Sequence, residues 1–89
     1  MFWGAMSIGS WSIPVSVQAG KRGDTRCLVG DTMRAAEILT SHWPDHVFRG
    51  PKYYDACRAC RNVLIGDAAP ETARKAFVEA AEEAEILAE

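Results

Sequence analysis

Cys57 and Cys60, separated by Arg58-Ala59, form the arrangement in this 89-residue chain that comes nearest to reactive chemistry. Two thiols at that spacing can exchange with a disulfide or give two ligands to a soft metal such as zinc. Redox pairs of this kind owe their reactive thiolates mainly to a helix N-terminus, whose partial positive charge lowers the thiol pKa. Here Cys57 lies six residues beyond Pro51, the expected first residue of its helix, and so past the turn where that field acts. Both sulfurs also fall on an apolar stripe with Tyr53 and Leu64, and burial there raises a thiol's pKa. Packing is the expected role of the pair. Thiol exchange, with one cysteine attacking and the other resolving and no bound cofactor, is the alternative.

A zinc site needs four ligands, so Cys27, His42 or His46 would have to join Cys57 and Cys60 from other elements, and no second paired motif supports this. No metal and no cofactor are expected. His42 reads as a helix-end residue facing unsatisfied carbonyls, and His46 as a solvated loop residue.

Charge offers a second candidate surface. Ten Lys and Arg against twelve Asp and Glu give a net charge of −2, which lacks the bulk positive field that drives binding to a phosphate backbone. The distribution is uneven, however: residues 1–64 carry +3 and residues 65–89 carry −5. Lys21, Arg22 and Arg26 cluster at an expected hairpin tip, and Arg49 and Lys52, with Arg58 and Arg61, surround the second helix. A basic contact strip is the functional reading, but neither a base-reading motif nor an interleaved aromatic platform accompanies it, and solvated surface charge is the plainer one. Glu82, Glu83, Glu85 and Glu89 crowd the end of the last helix, where the macrodipole disfavours them, so they read as solubilising charge or as a face for a basic partner. Trp11, Trp43 and Phe48 read as core aromatics before ligand contacts. The serines lack a nucleophile elbow, the glycine turns lack a phosphate-loop pattern, and Glu82 and Glu83 point to different helix faces.

The elements that must position these groups follow from periodicity. Ser12 to Ala19 alternates strictly, with Ile13, Val15, Val17 and Ala19 on one face, and Thr25 to Val29 forms a second strand beyond the Gly20–Asp24 turn. Pro14 places the first strand at an edge or has its own position near the strand's start. Asp31 is the N-cap of a helix from Thr32 to His42, ended by Pro44. Pro51 opens a second helix that Gly66 stops, and Pro70-Glu71 opens a third whose Ala73, Phe77, Ala80, Ala84 and Leu87 repeat at helical spacing. The expected fold is α+β: a two-stranded antiparallel hairpin followed by three helices packed on one face. Residues 1–10 read as a loose N-terminal extension and 11–89 as a single domain. Met1 to Ile8 resembles neither a signal peptide nor a membrane span, and Met6 is an alternative start.

Trp11 with Pro14-Val15, then Trp43-Pro44, Gly50 with Tyr53, Ala56 and Cys60, Gly66, and the ending Glu71-Thr72-Ala73-Arg74-Lys75-Ala76-Phe77-Val78-Glu79-Ala80-Ala81 follow one another in a recognisable order. This order, over about residues 11 to 87, resembles the small bacterial family catalogued as domain of unknown function 982. The resemblance implies a small cytosolic protein of soil-dwelling and plant-associated bacteria with no assigned activity or ligand, so no catalytic residues carry over. The first ten residues lie outside the family pattern. Cys57 is additional to the cysteine usual at the position of Cys60, which weakens a paired-thiol function as a family trait.

The leading expectation is therefore a noncatalytic interaction or regulatory module in the cytoplasm, where three unpaired cysteines stay reduced. It is expected to form a homodimer through an exposed sheet edge or an alanine-rich helix face, or to meet another protein. The alternative is a small CxxC thiol-redox protein, and the third reading is weak nucleic-acid binding through Lys21, Arg22, Arg26, Arg49 and Lys52. No membrane association is expected.

Overall fold

Alternation between apolar and polar residues builds the first two elements, β1 (Ser10–Ala19) and β2 (Thr25–Asp31), which pair antiparallel as a hairpin. The structure, a computed structural model, describes residues 10–44, 47 and 49–88. Most of the expected extension, residues 1–9, lies outside the described residues, but Ser10 belongs to the domain because it opens β1 opposite Asp31. The hairpin turns at Gly20, whose φ of +87° is open to glycine at little cost and where an added Cβ would stand 3.1 Å from Thr25 Oγ1.

The inward face of β1 is Val15, Val17 and Ala19, as alternation predicts, but Ile13 departs from it and is 63% exposed. The cause is a large bulge: β1 advances five residues between Ser10 and Val15 while β2 advances two between Asp31 and Val29. The irregular stretch turns Ile13 outward while Trp11 stays buried on the face alternation gives it, and it leaves Pro14, which has no N–H to give, where the ladder is already interrupted. The backbone groups freed by the bulge are taken by side chains of the last helix. Glu71 accepts from the Ser12 N–H at 3.3 Å, and Arg74 Nε donates to the Ile13 carbonyl at 2.8 Å.

Asp31 caps the first helix, its carboxylate accepting the Arg34 N–H at 2.7 Å. That helix is α only over α1 (Thr32–Glu37), and the remainder of the expected span, Ile38–His42, is a π turn. Thr40 Oγ donates back to the Ala36 carbonyl at 2.9 Å inside this region, the side-chain competition that loosens helical ladders. The wider turn lets the adjacent Ile38 and Leu39 both be buried before Trp43 leaves in extended geometry ahead of Pro44.

The second and third helices, α2 (Pro51–Leu64) and α3 (Pro70–Glu83), each start with proline at a position where a missing N–H costs nothing. They pack on each other; α3 and α1 cover the hairpin, and α2 lies against those two helices. Phe77 sits at the centre, fully buried, with Trp11 and Trp43 at ring distances of 5.7 and 6.2 Å. Trp11 Nε1 donates to Thr32 Oγ1 at 3.1 Å, so the buried indole and hydroxyl satisfy each other.

Leu87 does not extend α3. The helix ends at Glu83, Glu85 adopts a left-handed φ of 60°, and the chain turns back as an extended segment along the outer edge of β1. Gln18 N–H donates to the Ile86 carbonyl at 2.7 Å, Ala88 N–H donates to the Ser16 carbonyl at 2.8 Å, and Val17 bridges Leu87. Ile86 and Leu87 thus join the core through strand-like pairing, which helical spacing alone does not reveal.

Candidate functional site

Cys57 and Cys60 lie in the middle of α2, and the helix turns them to different depths. Cys60 is 1% exposed, in line with Ala56 and Val63, whereas Cys57 is half-buried at the edge of that line beside Tyr53. The expected stripe of Tyr53, Cys57, Cys60 and Leu64 is therefore rotated by about one residue, and Leu64 is exposed. The reason is unequal cover: α3 packs against α2 far more extensively than the short α1 does, so the deepest line faces α3. On the α1 side a groove remains open.

That groove is a cavity of about 280 Å³ lined by Ala36, Leu39 and Thr40 from α1 and the π turn, and by Cys57, Cys60, Arg61, Leu64 and Ile65 from α2 and its end. Its walls are almost wholly apolar. Tyr53 ties the two sides together, its hydroxyl donating to the Leu39 carbonyl at 2.7 Å, one of the carbonyls a helix end leaves without an internal partner. Arg49 lies over the Tyr53 ring at 5.4 Å from its centre.

Both thiols in the groove are held in the protonated form. Burial pushes the Cys60 thiol up to about 12, with the neighbouring Cys57 adding to the effect. Burial raises Cys57 as well, against a hydrogen bond with Tyr53 and the positive charge of Arg49, which act in the opposite sense. The Tyr53 phenol is also raised, first by burial. A reactive thiolate needs the opposite electrostatics.

Cys27 is not part of this site. It is half-buried on β2, its Sγ 3.8 Å from the Thr25 carbonyl, and it lines a separate cavity of about 180 Å³ with Gly20, Thr25, Arg34 and His42. Arg34 and His42 both face Glu37, at 2.8 and 3.9 Å. His42 stands in the last turn of the π segment, with its side chain toward Glu37, while His46 and Phe48 lie outside the described residues. Among the described residues no group of three side chains suited to a metal converges.

The basic residues are dispersed by their local contacts. Lys21, Arg22 and Arg26 are exposed on the hairpin, but Lys52 meets Glu79 of α3 at 3.4 Å, Arg58 meets Asp55 at 3.2 Å, and Arg49 is held against Tyr53. Glu82, Glu83 and Glu85 are exposed, and Glu89 lies outside the described residues. Trp11 and Trp43 are core residues, the second packed 5.4 Å from Tyr53 and with an indole N–H that has no hydrogen-bond partner among the described residues. The groove itself is what the sequence reading missed. Its one legible signal was a pair of apolar residues, Leu64 and Ile65, running past the point where α2 ends.

No helix among the described residues is long and apolar enough to cross a membrane. A family model described as protein of unknown function (DUF982) matches residues 13–88. An NMR structure of the Agrobacterium tumefaciens protein Atu1219 is similar at 31% identity and a TM-score of 0.69, over 94% of this chain and 80% of that one. No curated protein matches the chain.

Proposed function

The chain belongs to the family of unknown function DUF982, and on that premise we propose that it is a noncatalytic binding module whose working surface is the groove between α1 and α2. The carrying observation is a cavity of about 280 Å³ with largely apolar walls whose two thiols are kept protonated by burial. Such a surface holds an apolar group well and offers it no nucleophile or base. The free state of Cys27, Cys57 and Cys60 fits a reducing cytoplasm. The thiol-redox alternative draws less support, because Cys57 and Cys60 lie beyond the first turn of α2 and burial raises both. Nucleic-acid binding draws less as well, since Arg49 and Lys52 are engaged within the fold.

The test is a titration of ¹⁵N-labelled protein with octan-1-ol as an apolar probe. Saturable amide shifts are expected at Ala36, Leu39, Cys60 and Ile65, and Ala36→Phe, which fills the groove, removes them while the circular dichroism spectrum is retained. A flat titration of the wild-type protein rejects the reading.

Self-association is a second reading, favoured by one observation. The outer edge of β1 is covered by residues 86–88, whereas β2 pairs only with β1 among the described residues and presents Leu28, 66% exposed. The alanine-rich face of α3 is already spent inside the fold, with Ala73, Ala80 and Ala81 buried.

A further inference from the structure

We infer that the groove between α1 and α2 takes small apolar carboxylates, with the acid group at Arg61 and the hydrocarbon body on Leu39, Cys57, Cys60 and Leu64. This deepens the groove reading and rests on it. Arg61 lines the cavity, is exposed, and follows Cys57 by four residues, so that helical spacing sets it above the same opening. The other cations of α2 have carboxylate partners within the chain: Lys52 meets Glu79, and Arg58 meets Asp55. Arg61 has none among the described residues. A guanidinium standing at the edge of an apolar trough is complementary to a molecule with one planar anionic end and an apolar remainder, because its fork of N–H groups matches the two oxygens of a carboxylate.

Charge and size narrow the class. One cation balances one negative charge, whereas a dianionic phosphate head would leave an uncompensated charge against apolar walls. A cavity of about 280 Å³ lies just below the size of ordinary ligand sites, which run from roughly 300 to 1,000 Å³. Short unbranched acids fit that scale, and Leu64 and Ile65 in the lining are themselves exposed.

The experiment compares hexanoate, octanoate, decanoate, octyl phosphate and octan-1-ol at pH 7, followed by amide shifts in wild-type protein and in Arg61→Gln. Octanoate is expected to bind in the groove, with affinity rising about twofold to fourfold per added methylene until the trough is full. R61Q is expected to weaken octanoate by about twofold to fivefold, the range of an exposed ion pair, and to leave octan-1-ol unchanged. If R61Q leaves octanoate unchanged, or octyl phosphate binds more tightly than octanoate, the carboxylate inference is overturned while octan-1-ol binding still upholds the groove. If neither octanoate nor octan-1-ol binds, both readings fall together. Arg61 is exposed, so R61Q is expected to keep the wild-type spectrum away from the groove, and Ala36→Phe serves as the variant that loses every ligand.

Discussion

Burial decides what the cysteines of α2 do. Cys60 moves from its ordinary 9.0 to about 12, so the folded protein keeps a proton that the unfolded chain releases across that interval. The sign follows from linkage: the stability tied to this proton is fully present below pH 9 and is lost as pH rises toward about 12. Urea midpoints are accordingly expected to fall between pH 8 and pH 10, and Cys60→Ala is expected to flatten the decline while costing about 1 kcal/mol at neutral pH for the lost packing. In native protein at pH 7.5, iodoacetamide is expected to spare Cys60 until unfolding; labelling at the rate of an unstructured peptide would contradict the packed assignment. The packed role of Cys60 was legible in the sequence, because apolar spacing put it on a stripe. The outward turn of Cys57 was not, since it depends on how unequally α1 and α3 cover the helix.

At the scale of elements, two helices end in the same way with different residues. After α2, Gly66 N–H donates to the Val63 carbonyl at 3.0 Å and Asp67 N–H to the Asn62 carbonyl at 2.7 Å. After α3, Glu85 N–H donates to Glu82 at 3.1 Å and Ile86 N–H to Ala81 at 2.9 Å. Both are Schellman closures that need a left-handed residue, supplied by Gly66 at φ 88° and by Glu85 at φ 60°. An added Cβ at Gly66 meets nothing within 4 Å, so Gly66→Ala is expected to cost about 1 kcal/mol through backbone conformation alone. Glu85→Gly is expected to stabilise by about 0.5–1 kcal/mol, since it relieves the left-handed strain and removes a negative charge from a helix C-terminus. Chemical denaturation of the two variants checks both signs. Gly66 announced its role in the sequence because glycine is the common residue there. Glu85 carried no such signal, and the helical pattern ran on through Leu87.

For the whole molecule, the decisive feature is that residues 86–88 return along β1. A two-stranded hairpin is marginal by itself, and this return protects one of its two edges and adds Ile86 to the core. The other edge, β2, pairs only with β1 among the described residues, and the proposed self-association places a second copy there. Sedimentation at high micromolar concentration is expected to show a dimer, and Leu28→Lys to shift it to monomer, since an exposed charge on an open edge opposes pairing. A wild-type monomer under those conditions removes the self-association reading.

The sequence by itself determined the order of elements, the N-cap at Asp31, the proline starts at Pro51 and Pro70 and the identity of most core residues. Each of these rests on a residue's own conformational preference or on a period within one segment. Only the tertiary structure decided the bulge that exposes Ile13, the π turn at Ile38–His42, the strand-like return of Leu87 and the groove beside Arg61. Those depend on contacts between residues far apart in the chain. Glu71 and Arg74 reach back about sixty positions to take the bulge's backbone groups, and no local period records a bond of that kind.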